Sequence, residues 1–142
     1  FLRNATEATY LKMVADAVRV SEAYQIPVIC HTYPRDKQNN VIYNPEDIAW
    51  CVRCILEVGA DIIKVFPGVS GPGFIKEVLA PLPFIPLMPT GGISLQNLHE
   101  FKSAGAVAFG IGKSLVDTKQ KVSDAYLQEI VLNAQKFMQA AY

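Results

Sequence analysis

The strongest constraint on this chain is the alternation of short β-favouring runs with segments of helical periodicity. Four such runs stand out: Pro27-Val-Ile-Cys-His-Thr-Tyr33, Asp61-Ile-Ile-Lys-Val-Phe66, Ile85 to Met88 and Val107 to Ile111. Pro34, Pro67-Gly68 and Pro89-Thr90-Gly91-Gly92 close the first three. Between them the apolar period changes to that of a helix. Asn4 and Glu7 form a capping pair ahead of Leu11, Val14, Ala15 and Val18, which predicts a helix over 5–24. Asn44-Pro45-Glu46-Asp47 and the stop at Gly59 predict a second over 45–58. Short helices are expected over 74–79 and, after a Ser94 cap, over 95–103. A last one from about 119 carries Val122, Tyr126, Ile130, Ala134, Phe137 and Ala141 on one stripe.

Strands that alternate with helices pair in parallel through right-handed crossovers, and strand spacings of some 20 to 35 residues fit βα units. A (β/α)8 TIM barrel uses about 31 residues per unit over about 250 residues. At 142 residues the chain holds four strands of such a barrel. The expected fold is therefore α/β, a single domain over 1–142 forming half a barrel. The alternative is a small doubly wound sheet. A half-barrel exposes sheet edges and the side chains meant for the barrel interior, so a homo-oligomer, or a complementary half-barrel chain, is expected to cover them. The chain opens on Phe1 instead of Met, which suggests a fragment, a processed chain or an engineered one.

Charge removes whole classes of function. With 13 basic and 13 acidic side chains interspersed along the chain, there is no net field to attract nucleic acid or an anionic membrane. No apolar run approaches the ~20 residues of a membrane span. A cytoplasmic location is expected, and the odd count of cysteines (Cys30, Cys51 and Cys54) suits a reducing compartment.

Lys64 is the residue with the most chemistry to offer. Within a parallel sheet buried on both faces, its charged form is disfavoured and the amine becomes nucleophilic; alternatively Lys64 lies at the strand end, snorkelling to water or pairing with Asp61. Thr90-Gly91-Gly92 and Gly110-Ile-Gly112-Lys113-Ser114 each follow a strand, where backbone N–H groups can cradle phosphate, though a glycine pair can equally be only a turn. His31 and Tyr33, two apart, share a face of their strand. From there Tyr33 can exchange protons with Lys64; alternatively Tyr33 is an ordinary core tyrosine and His31 a hydrogen-bonded histidine. Cys51 and Cys54 lie mid-helix, a poor place for redox or zinc chemistry, and His99 reads as a surface residue. No metal-ligand cluster and no cofactor fingerprint appears, so neither metal nor cofactor is expected.

Four stretches resemble the 2-keto-3-deoxy-6-phosphogluconate aldolases: Lys64-Val-Phe-Pro67, the run from Gly71 to Pro83, Met88-Pro-Thr-Gly-Gly-Ile93 and Gly110-Ile-Gly-Lys-Ser-Leu-Val116. The resemblance implies a (β/α)8 barrel in which Lys64 forms a Schiff base with pyruvate. It also implies that Thr90 contacts the keto-acid carboxylate and that Gly91, Gly92, Gly112 and Ser114 surround phosphate. Lys113 is a mild departure from that pattern. Residues 7–64 resemble another branch, the archaeal-type class I fructose-bisphosphate aldolases, through Tyr33-Pro34-Arg35, Asn44-Pro45-Glu46 and Gly59-Ala-Asp-Ile-Ile-Lys64. There too the lysine forms the imine, and Tyr33 is implied as the general acid/base. The keto-acid enzymes take a general-base glutamate and a carboxylate-binding arginine from a barrel half that this chain lacks. The expectation is a class I aldolase, or its catalytic half, cleaving a phosphorylated 2-keto-3-deoxy sugar acid into pyruvate and a phosphorylated aldehyde. The alternatives are a fructose-bisphosphate-type aldolase and a non-catalytic half-barrel, fragment or chimera, that self-associates.

Overall fold

The computed structural model describes residues 5–68 and 70–142. Eight elements follow in order: α1 (Glu7–Ala23), β1 (Ile29–His31), α2 (Pro45–Glu57), β2 (Ile62–Val65), α3 (Gly71–Leu79), β3 (Leu87–Pro89), α4 (Leu98–Ser103) and α5 (Asp124–Ala141). The expected capping pair rests partly on Asn4, which lies outside the described residues. Asn44 does cap α2, its side chain accepting from the Glu46 N–H at 2.8 Å.

The strands form one parallel sheet in the order β1-β2-β3. That order decides between the two architectures. A doubly wound sheet reverses direction at a switch point and so places helices on both faces. Here each strand is added beside the last with no reversal, and right-handed crossovers then place every helix on the same side. Burial alternates accordingly. Ile63, Val65 and Leu87 are fully or almost fully buried, whereas their strand neighbours Ile62, Lys64 and Met88 are only half-buried. The buried set packs with Val52, Ile55, Phe74, Ile75, Leu98 and Phe101 from the helices. The fold is thus an α/β segment of a TIM barrel whose interior-facing surface is open, and the premise of a sheet buried on both faces is corrected. Ile29 on β1 remains 52% exposed, as suits the uncovered face.

Among the described residues three strands form instead of four. Residues 107–111 reach β3 through two backbone bonds, from Val107 N–H to the Leu87 carbonyl (3.0 Å) and from Gly110 N–H to the Pro89 carbonyl (2.9 Å), and through the single parallel bridge Thr90–Gly110. Three residues of the segment thereby oppose two of β3, so no continuous ladder can run. The starts of α4 and α5 also fall three to five residues later than expected. Asn97 accepts from Ser94 N–H (2.8 Å) and donates to the Gly92 carbonyl (2.9 Å), holding 94–97 as a turn before α4. Ser123, not the region of Lys119, caps α5. Ahead of that cap, the Tyr126 hydroxyl clamps Asp117, accepting from its N–H (2.6 Å) and donating to its carbonyl (3.0 Å). The α5 stripe buries Tyr126 and Phe137, while Val122 lies outside the helix and is 81% exposed.

Candidate active site

Ligand sites of parallel α/β folds collect at the carboxyl ends of the strands, because the loops there are freed from the ladder. Lys64 is near that end of the central strand, flanked in register by His31 on β1 and by Met88 on β3. All three side chains share the open face, since register partners in a parallel pair point the same way. The backbone around Lys64 is firmly held: the Thr32 N–H donates to the Lys64 carbonyl (3.2 Å) and the Thr90 N–H to the Val65 carbonyl (2.9 Å). The carboxylate of Asp61, considered above as a partner for the lysine, instead accepts from the Val28 N–H (2.7 Å) at the opposite end of β1. Lys64 is half-buried on the open face.

One flank of the lysine is aromatic. The rings of His31 and Tyr33 lie 4.3 Å apart, tilted at 56°. Partial burial, and then the charge of Lys64, push the His31 imidazole below its ordinary range. The Tyr33 phenol is pushed up, first by partial burial and then by Tyr43, with Arg35 opposing. Arg35 is itself steadied in a small turn, where its guanidinium donates to the Asn39 carbonyl and Asp36 accepts from the N–H groups of Gln38 and Asn40.

The other flank is built of glycine and hydroxyl groups. Gly91 has φ +100, and a Cβ there would collide with the ring of Phe66, two residues beyond Lys64. A side chain at Gly110 would collide with the Thr90 hydroxyl. That hydroxyl is buried and has no hydrogen-bond partner. A buried hydroxyl left unpaired is costly, and a carboxylate or carbonyl oxygen arriving beside it would remove the cost. The Ser114 hydroxyl donates to the Ile93 carbonyl, so its proton ties the two glycine loops together and is not directed at a ligand. Among the described residues, the amides of Gly91, Gly92, Gly112 and Lys113 make no hydrogen bond to the protein. Lys113 is exposed beside them.

The sequence gives Tyr43 no role, and the contacts that Phe66 and Gly110 make are visible only in the fold. Phe66 sets the close packing at Gly91, Gly110 makes room for Thr90, and Tyr43 meets Phe66 edge-on at 6.1 Å. Tyr43, Phe66, Pro67, Gly68 and Ser70 line a cavity of about 320 Å³ next to the strand ends. Phe66 was within reach of strand alternation from Lys64, but Tyr43, far off in a loop, gave no signal. Cys51 is fully buried in the α2 packing, Cys54 is half-buried, and His99 is exposed on α4.

Comparison with known proteins matches this geometry to one family. The model of the family "Aldolase: KDPG and KHG aldolase" matches residues 40–132, about two thirds of the chain. The 2-dehydro-3-deoxy-6-phosphogalactonate aldolase of Escherichia coli is 38% identical over 69 residues, 47% of this chain and 34% of that enzyme. A class 1 fructose-bisphosphate aldolase of Halobacterium salinarum is 41% identical over 54 residues, 37% of this chain and 20% of that enzyme. The chain thus spans about a third or less of the length of these curated relatives. Among solved structures, native KDPGal superposes with a TM-score of 0.61 at 25% identity, covering 89% of this chain and 55% of the other. An archaeal fructose-1,6-bisphosphate aldolase, solved with its catalytic lysine covalently bound to the carbinolamine intermediate, superposes at 0.68 over 93% of this chain and 53% of the other. At 19% identity that likeness is one of fold. With the family model covering most of the strands and both glycine loops, the chain belongs to the KDPG and KHG aldolase family.

Proposed function

We propose that this chain, residues 1–142 as one domain, is the imine-forming half of a class I aldolase that cleaves a phosphorylated 2-keto-3-deoxy sugar acid into pyruvate and a phosphorylated aldehyde. The observation that carries the proposal is the position of Lys64: central strand, carboxyl end, uncovered face, with proton-carrying rings on one flank and an unpaired Thr90 hydroxyl beside unused amides on the other. Lys64 attacks the ketone, and the resulting iminium withdraws electrons as the carbon–carbon bond breaks. Tyr33 moves protons at the reacting carbons. Thr90 receives the keto-acid carboxylate, and the amides of Gly91, Gly92, Gly112 and Lys113, with the Lys113 charge, hold phosphate, while Ser114 keeps the loops in register. The open sheet face is covered in use by a second copy or by a complementary half-barrel chain, because half-buried Ile62 and Met88 and exposed Ile29 leave apolar surface on it. A cytoplasmic location goes with this reading.

The test is borohydride trapping with pyruvate, followed by intact-mass and peptide mass spectrometry. A reduced adduct on the Lys64 peptide is the expected result. The Halobacterium match supports a second reading, in which dihydroxyacetone phosphate is trapped and pyruvate is not. Absence of an adduct with either donor, in folded protein, overturns the catalytic reading and leaves a structural half-barrel.

A further inference from the structure

His31 carries chemistry that the aldolase reading leaves unused. Lys64 must lose a proton before it can attack, and the carbonyl oxygen must gain protons before it can leave as water. Both needs arise at one nitrogen and one oxygen during imine formation. Tyr33 is a poor candidate for the first of them, because burial and Tyr43 hold its phenol in the protonated form. His31 is better placed. It is the direct register partner of Lys64 on the adjacent strand, where neighbouring backbones stand about 4.8 Å apart and same-face side chains are neighbours. Its ring is braced by Tyr33 at 4.3 Å, and it is exposed on the open face, where substrate must arrive. The low-lying imidazole is neutral near neutral pH and so has a lone pair available.

We infer that His31 is a catalytic residue that carries the proton between the Lys64 nitrogen and the departing carbonyl oxygen, an inference that rests on the aldolase reading above. The step balances. The imidazole takes one proton from the Lys64 ammonium, and the freed amine adds to the ketone, forming the C–N bond. Transfer of a second nitrogen proton to the alkoxide gives the neutral carbinolamine. The C–O bond then breaks as His31 returns its proton to the leaving hydroxyl. Ammonium and ketone become iminium and water, and His31 ends as it began. Tyr33 supports the ring and remains available for the later carbon–carbon step.

The experiment is time-resolved trapping on the whole chain: pyruvate is added, borohydride quenches at increasing times, and the Lys64 adduct is counted by mass. His31→Ala is expected to form the adduct about 10²-fold more slowly, to the same final extent, and added imidazole is expected to restore the rate in proportion to its concentration. His31→Phe keeps a ring against Tyr33 and is expected to be as slow as His31→Ala. Since residue 31 is exposed, both variants are expected to retain the circular dichroism of the parent. The inference is overturned if either variant reacts at the parent's rate, or if imidazole leaves the alanine variant slow, because the ring's role is then one of packing. Failure of the parent itself to trap pyruvate or dihydroxyacetone phosphate overturns the aldolase reading, and this inference with it.

Discussion

His31 and Lys64 stand side by side across the β1–β2 ladder, on the open face of the sheet. The relationship follows from winding. Sequential parallel strands with right-handed crossovers send all the helices to one side. The other side is left to side chains at every second strand position, and those nearest the carboxyl ends are the ones a substrate can reach.

The first consequence concerns Lys64 itself. Lys64→Arg keeps a cation and a long stem on the open face but removes the primary amine that forms an imine. Trapping with pyruvate is expected to lose the adduct completely. Because Lys64 is only half-buried, the denaturation midpoint is expected to move little. Adduct on the arginine variant would place the reactive amine elsewhere.

One-sided packing makes a sharp prediction for two adjacent residues. Ile63 is fully buried against the helices, whereas Ile62 faces the open side and is half-buried. Ile63→Ala is expected to cost about 2–5 kcal/mol, as deletions from close-packed cores do. Ile62→Ala is expected to cost well under half as much. Urea unfolding of the two variants measures the difference directly, and equal costs would mean that the second face is also packed in the isolated chain.

Much of this was legible in the sequence because periodicity and punctuation are local. The Asn44-Pro45 start and Gly59 stop of α2, the β-favouring run around Lys64 and the buried stripe through Tyr126 and Phe137 each depend on residues close together in the chain. What escaped depends on distant partners. Nothing local to 107–111 says that three of its residues must oppose two of β3. Nothing near Ser94 says that Asn97 will reach back to Gly92 and delay α4. The same limit explains the site: strand alternation pairs His31 with Tyr33, while the contact of Tyr43 with Phe66 spans a loop and a strand and has no local signature.

Gly91 offers a test of the glycine flank. Its φ of +100 is strained for any side chain, and an added methyl would also strike the Phe66 ring. Gly91→Ala is expected to lower stability by about 1–3 kcal/mol and to weaken the apparent affinity for phosphorylated substrate. Combining it with Phe66→Leu separates the two causes. The smaller side chain is expected to recover the part due to collision and leave the backbone part, so the double variant should be more stable than additivity predicts. Strict additivity would show that Phe66 does not press on Gly91.

The lowered pKa of His31 makes stability depend on pH in a definite direction. Between that pKa and the ordinary value of 6.5 the unfolded chain binds more protons than the folded one, so folding stability rises with pH across the window. Stability is therefore full above about pH 6.5 and is lost as the pH falls through the folded-state pKa. Asp16 and Asp36 do not interfere, because their pKa values are lowered from 3.8 and their contributions fade only at still lower pH. Exposure of the imidazole keeps the effect small. Denaturation midpoints from about pH 5 to about pH 7.5 are expected to climb in the parent and to climb less in His31→Asn. Lys64→Met, which removes the neighbouring positive charge, is expected to shift the parent's window upward toward 6.5. An unchanged window in Lys64→Met would show that the lysine charge does not act on His31, and that the two side chains are neighbours in register alone.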